Sequence, residues 1–431
     1  MLDCTLTVNG PPEVIKDSPP GAVRSWFARF LERETVRYFL GQGLYLFPLN
    51  FLGLVLGFVS TVLYARFLSA DQYGEYSYVF ATATLLNFLS LPGLGTAIAQ
   101  ATAQDFDGVY PRATHLRQRF SLLGSVVIAG VGIACWKTKG TEVMWAFFLA
   151  AILFPLYYAT DTFWSMLTGK KRFGTLSLFR LIQMLAVAGM TWFTLVSTQR
   201  VPLVFAANFG TMGLTNLAFY LWTRRLCQND RVNPKSFGYG QRLSALSVLM
   251  SAEARADHVM VGTFLPFHEL GWFQMGDRIS DALMKGTWTI TSQLLFPRLA
   301  EVSAAEARRR VRAWGVYLLV VFAVLAAGFW MVAPWLLPWI LGSKYLQSVR
   351  LARWLVLIAL IGVPWSLFEV YCQARADEKG LWITRLTVAA THLGTMPLLL
   401  KWWGLLGVLV SLAMSRVVCV IVCVVLFRKK N

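Results

Sequence analysis

The sequence predicts an all-α integral membrane protein of about twelve transmembrane helices, set as two six-helix lobes around a central cavity. Three observations predict it. Apolar stretches of roughly 20 residues recur from Leu44 to Phe427, each long enough to cross a hydrocarbon core of about 30 Å. Of 431 residues, 56% are hydrophobic and 14% charged, against about a quarter charged in soluble domains; mean hydropathy is +0.55. The polar surface of a soluble protein is therefore missing. A short segment near the start also recurs at the midpoint of the chain, in an equivalent place. The apolar runs are continuous, whereas barrel strands would alternate, so the spans are helices.

Hydropathy and helix breakers place spans near 44–67, 76–99, 118–136, 143–165, 174–196 and 201–222, and then near 241–265, 272–296, 313–336, 350–372, 380–400 and 404–427. The seventh, eighth and eleventh contain ionisable groups. Pro92-Gly93 breaks the second span and Pro364 the tenth, each as a hinge or a kink. The chain divides into a leader (1–42), a first lobe (43–232) and a second lobe (233–431). The first twenty residues carry four prolines and few large apolar groups. Val23, Trp26, Phe27, Phe30 and Leu31 then share a helical face largely ringed by Arg24, Arg29, Glu32, Arg33 and Arg37, the pattern of a helix lying on an anionic leaflet. A solvated leader helix is the alternative.

Orientation follows from Lys and Arg in the connections. They concentrate in the leader, the even-numbered connections and the C-terminal tail, with Arg224, Arg225, Arg231, Lys235, Arg308, Arg309, Arg310 and Arg312 prominent. The opposite side holds only Arg66, Lys137, Lys139, Arg200, Lys344, Arg350 and Lys401. Both termini are thus expected in the cytoplasm, and the net charge of +18 is explained by topology and lipid headgroups rather than by nucleic acid. The six cysteines form no CxxC pair and have no histidine at ligand spacing, so they read as free, small hydrophobes. No cofactor motif is present, including GxxxxGK[ST] for ATP.

Two segments match at a constant offset of 197 residues: Ala65–Tyr78, ARFLSADQYGEYSY, and Gly262–Met275, GTFLPFHELGWFQM. Phe67, Leu68 and Gly74 recur as Phe264, Leu265 and Gly271, and each segment joins the first two spans of a six-span set. Duplication into parallel lobes predicts a substrate site at the lobe interface and alternating access by rocking.

The run Ala65-Arg66-Phe67-Leu68-Ser69, then Tyr73-Gly74-Glu75-Tyr76 and Gly93-Leu94-Gly95-Thr96-Ala97, resembles the opening of O-antigen and capsule repeat-unit flippases of the multidrug/oligosaccharidyl-lipid/polysaccharide exporter superfamily. The Asp257 to Gly271 segment, Phe296-Pro297 and Gly169-Lys170-Lys171-Arg172-Phe173 resemble further patches of that family. The leader is longer than the resemblance leads one to expect. The resemblance implies a non-enzymatic flippase in a bacterial inner membrane. Its substrate would be an undecaprenyl-pyrophosphate-linked oligosaccharide, exported from the cytoplasmic to the periplasmic face. Membrane lipids, a polysaccharide polymerase and chain-length machinery would be its partners.

Charges at bilayer depth are expensive and so mark candidate sites. The seventh span carries Glu253, Arg255 and Asp257; the eighth carries Asp277, Arg278, Asp281 and Lys285. Glu253 and Asp257 share a face, with Arg255 pointing away, while Arg278, Asp281 and Lys285 form one stripe that cannot face lipid. In the functional reading Arg278, Lys285 and Arg255 attract the pyrophosphate, and Asp257, Asp281, Asp277 and Glu253 serve as charge partners or take up a coupling ion. In the structural one they pair with each other between the two spans. Arg66, at the far end of the first span, is a second anion or headgroup contact, and Arg180 either joins the site or snorkels to the surface. His392 reads as a packed, hydrogen-bonded histidine. A multidrug or cation antiporter is the nearest competing function. A membrane glycan ligase or glycosyltransferase is a more distant one, because the connections are too short for a catalytic loop.

Overall fold

The computed structural model describes residues 52–375 and 377–429. The expected leader helix and the start of the first span lie outside the described residues. The protein is a multi-pass helical membrane protein, and each expected span has its helix. In the first lobe these are α1 (Leu52–Phe67), α2 (Ala70–Leu85) and α3 (Gly93–Ala103), α4 (Val109–Lys139), α5 (Thr141–Tyr158) with the short α6 (Phe163–Gly169), α7 (Phe173–Ser197) and α8 (Val201–Arg224). The second lobe has α9 (Pro234–Phe264), α10 (Phe267–Ala300), α11 (Ala304–Leu341), α12 (Leu346–Ile361) and α13 (Val363–Ala374), α14 (Glu378–Trp403) and α15 (Leu405–Lys429). Among the described residues, six helices are long and apolar enough to cross a membrane, or eight counting the two bent pairs. The long helices outside that count are α9, α10 and α14, the three spans whose ionisable groups dilute their hydropathy.

Both proline breaks are present. The second span bends by 48° between Ser90 and Gly93, and the tenth by 46° between Ile361 and Val363. At the first break Leu91 takes a left-handed φ of 53°. The bend lays α3 against the start of α9, where the Gly93 amide donates to Ser244 Oγ at 3.0 Å. A Cβ on Gly93 would collide with the Gly240 carbonyl and the Ser244 backbone nitrogen, which explains the glycine. At the start of α2 the Ser-Ala-Asp-Gln run is a capping box: Ser69 Oγ accepts from the Gln72 amide at 3.2 Å, and Gln72 Oε1 accepts from the Ser69 amide at 2.9 Å.

Within the first lobe α4 packs on α5 and α5 on α8; within the second, α14 packs on α15 and α10 on α12. Large apolar side chains on the outward faces, among them Val126, Ile152, Phe193, Met331, Trp335 and Trp339, stay exposed, as a lipid-facing surface requires. Cys135, Cys372, Cys419 and Cys423 are buried. One polar device holds the first lobe together. The buried Arg117 guanidinium donates to the Ser90 and Tyr158 carbonyls and pairs with Asp161, tying the break in the second span to α4 and to the end of α5. Arg117→Met leaves both carbonyls without their donor, at a cost of about 1–3 kcal/mol. The melting temperature in detergent should fall accordingly, with Arg117→Lys falling less; an unchanged value would mean that the guanidinium is not structural.

Candidate substrate site between the lobes

The two halves of the internal repeat touch each other. Gly74 lies so close to the Phe267 backbone that a Cβ would collide with its carbonyl, and Gly271 stands the same way against the Ala70 carbonyl. Because 74 and 271, like 70 and 267, are equivalents in the repeat, the contacts are reciprocal, which is the signature of a two-fold axis. Asp71 and its own equivalent His268, 197 residues on, also meet: the His268 amide donates to Asp71 Oδ1 at 3.0 Å. Both helix pairs run the same way, so the axis lies along the bundle. The end of the bundle carrying these turns is called the repeat end below.

Further contacts shut the repeat end. Arg66 donates to the Trp339 and Ile340 carbonyls at 2.9 and 3.1 Å, capping the last turn of α11 with a cation where the helix dipole favours one. Tyr345 Oη reaches the Leu68 and Ser69 carbonyls, and Lys139 the Leu265 carbonyl. One hydrophobic cluster spans both lobes here, through Tyr64, Tyr73, Phe147, Phe273 and Tyr345. Away from this end the second lobe packs a cluster of its own around Met284, Phe322 and Phe368.

Beneath the seam Arg278, Asp281 and Lys285, expected on one stripe of α10, have different partners. Arg278, on α10, crosses the lobe interface and lies over the rings of Tyr64 and Tyr73, 5.5 and 6.0 Å from their centroids, while Tyr64 donates to Tyr76 Oη at 3.2 Å. This is a cation–π cage on the first lobe. Asp281 and Lys285 pair with each other at 2.6 Å along α10, with Lys285 73% exposed. Asp257 and Asp277, from α9 and α10, both approach His258 between them, at 2.7 and 3.5 Å. Arg255 lies within electrostatic reach of Tyr157 and Tyr158. Among the described residues, neither Arg255 nor Arg278 has a carboxylate within ion-pair distance. The side chain of Glu253 lies outside the described residues. The positions equivalent to Asp277 and Arg278 in the first lobe are Phe80 and Ala81, so the charge belongs to one lobe and the aromatic surface facing it to the other.

Two expected residues stand apart from this group. Arg66 is engaged by α11, as described, and Arg180 lies over the Trp164 ring at 5.7 Å. His392 is buried and hydrogen-bonded, 3.0 Å from Ser411 Oγ. The sequence reading passed over His258, Arg117 and the tyrosine cage; the Asp-His pair inside an apolar helix was the one signal available for the first. The basic Gly169–Phe173 patch proves to be local architecture. Lys170 bridges Asp107 and Asp105 at 2.8 and 3.0 Å. Burial alone would pull the Lys170 ammonium down, but its hydrogen bonds to Asp107 and Asp105 outweigh that and hold it above the ordinary range.

A bundle of two helical lobes meeting about such an axis defines a transporter-type membrane fold. It is similar to the inward-facing conformation of a multidrug resistance MATE family transporter of the MOP superfamily, with a TM-score of 0.68 at 13% identity over 88% of this chain and 94% of that one. It is also similar to the lipid II flippase MurJ in an inward closed conformation, at 0.65 and 12% identity over 90% and 87%. An outward-facing conformation of a MATE family transporter gives 0.55 at 14% identity over 89% and 93%. The chain belongs to the polysaccharide biosynthesis protein family, whose profile matches residues 63–350. No curated protein matches it in sequence.

The seam tolerates no side chain at its glycines. Gly271→Val should therefore open the repeat end, since overpacking of this kind costs about 1–3 kcal/mol. In a cysteine-free background, Leu68→Cys is fully buried and should react with an impermeant maleimide several-fold faster when Gly271→Val is added. Equal rates would show that the glycines do not set the closure.

Proposed function

We propose that the protein flips an undecaprenyl-pyrophosphate-linked oligosaccharide from the cytoplasmic to the periplasmic leaflet of a bacterial inner membrane. Transport is by alternating access, coupled to an ion gradient. The observation that carries this reading is Arg278: a guanidinium with no carboxylate within ion-pair distance among the described residues, at the lobe interface of a polysaccharide biosynthesis family member. A pyrophosphate needs charge and a fork of donors, which arginine supplies. The tyrosine cage holds Arg278 while the site is empty and yields it to a stronger, anionic partner. Arg255 adds a second cation from α9. Lys285, neutralised by Asp281, adds less. The connections between described helices are short, the longest being residues 225–233, which leaves little room for a catalytic loop and fits a transporter. The expected partners are the lipid-linked glycan, the surrounding lipids and a downstream polymerase.

A strain lacking the protein is complemented with wild type, Arg278→Ala or Lys285→Ala, and the leaflet of the glycan is read by an external glycan-modifying enzyme in spheroplasts. Loss of hydrogen bonds to a charged group costs about 1.5–3 kcal/mol, so Arg278→Ala should slow appearance of the glycan about ten-fold or more, and Lys285→Ala less. Emergence of the glycan without the protein would contradict the reading. The fold likeness to multidrug transporters and the half-buried carboxylates favour one competitor, a cation antiporter; resistance to cationic dyes conferred by wild type and lost in Asp257→Asn would support it.

A further inference from the structure

The buried histidine on α9 is chemically incomplete as it stands. His258 is 1% exposed and lies between two carboxylates on neighbouring helices. Asp257 Oδ1 is 2.7 Å from Nδ1 and also accepts from the His258 amide at 2.8 Å. An ionised carboxylate only accepts, so Nδ1 carries a hydrogen. A neutral imidazole then has a bare lone pair at Nε2, and Nε2 faces Asp277 Oδ2 at 3.5 Å with no hydrogen-bond partner. Two acceptors thus face each other in a buried space, an arrangement that folded proteins avoid unless something lies between. One proton, on either Nε2 or Oδ2, turns the repulsion into a charge-assisted hydrogen bond.

We propose that Asp257, His258 and Asp277 form a binding site for one exchangeable proton, the coupling ion of the transporter. The proton passes between water and the site with no other bond made or broken. Access is through the carboxylates, which are 13% and 23% exposed while the imidazole is sealed. A hard cation such as sodium requires a shell of oxygens, and here the gap between the carboxylates is filled by a ring whose other wall is Phe273, 5.1 Å between centroids. The groups around the site are charged or titratable on every side. Arg255 shares α9; Arg278, Asp281 and Lys285 share α10 with Asp277. From the other helices, His392 of α14 lies within electrostatic reach of Asp257, and Tyr73 of α2 within reach of Asp277. Arg416 of α15 lies within electrostatic reach of His392 and Lys285. With a neutral imidazole the trio carries two negative charges, and the proton removes one of them next to Arg278. Proton and anion therefore bind more favourably together, a coupling that is ordinarily about 5- to 150-fold. This linkage rests on the pyrophosphate reading; the proton site does not.

The chain has four histidines, so full-length protein labelled with 15N-histidine in nanodiscs resolves the site directly. The His258 signal is identified by its loss in His258→Gln. It should titrate once between pH 4.5 and 9, shift its midpoint in Asp277→Asn, and ignore replacement of potassium by sodium. Undecaprenyl pyrophosphate should raise the midpoint. A signal that does not titrate, or that follows sodium instead of pH, overturns the proposal. A signal that titrates but ignores the pyrophosphate probe upholds the proton site and counts against the anionic substrate. His258→Gln, if folded, should also abolish flipping driven by an imposed pH gradient; a rate unchanged from wild type would overturn the coupling role.

Discussion

Two glycines, Gly74 and Gly271, let the backbones of α2 and α10 approach until each faces the other's carbonyl, and the arrangement of both lobes at this end follows from that contact. No side chain fits there, so the contact is made by backbone alone, and because the two contacts are equivalents in the repeat they form or break as one. The seam sets the depth at which Arg278 meets Tyr64 and Tyr73, and it brings Arg66 to the last carbonyls of α11. Hydrogen bonds such as that from the His268 amide to Asp71 lie along it, and the hydrophobic cluster through Tyr64, Tyr73, Phe273 and Tyr345 backs it across both lobes.

Division of labour between the lobes follows from the divergence of the two repeats. The first lobe has kept Phe80 and Ala81 where the second has Asp277 and Arg278, so an aromatic wall faces a charged one. In a low-dielectric interior such a wall stabilises a guanidinium without neutralising it, leaving its charge available to an anion. Two of the carboxylates near Arg278 are engaged elsewhere, Asp281 by Lys285 and Asp257 by His258, while Asp277 stands 3.5 Å from His258 Nε2 without a hydrogen bond. Among the described residues no carboxylate lies within ion-pair distance of Arg278, which leaves its fork of donors open where the lobes meet.

Most of the architecture was legible in the sequence, because crossing a bilayer imposes length and hydropathy on each helix and leaves little freedom in the connections. Twelve spans, two proline bends and an offset repeat were all readable, and each has its counterpart from Leu52 onward. The grouping of the site was not. Helical periodicity puts Arg278, Asp281 and Lys285 on one stripe, but it says nothing about neighbouring helices, and those decide that Arg278 turns toward Tyr64 while Lys285 turns to Asp281. His258 escaped for a similar reason: its role depends on Asp277, nineteen residues away on another helix. Arg66 looked like a free cation at the end of a span, because a helix terminus 273 residues away was needed to reveal its partner.

The proposed alternating access requires the repeat end to be a seam that opens. Spin labels at Thr198 and Lys344, exposed positions on the two lobes at that end, would measure it directly in nanodiscs. The account predicts two distance populations, a short one matching the closed seam and a longer one whose share changes when undecaprenyl pyrophosphate is added. A single short distance, the same with and without the pyrophosphate, would contradict it and leave the seam as a fixed joint.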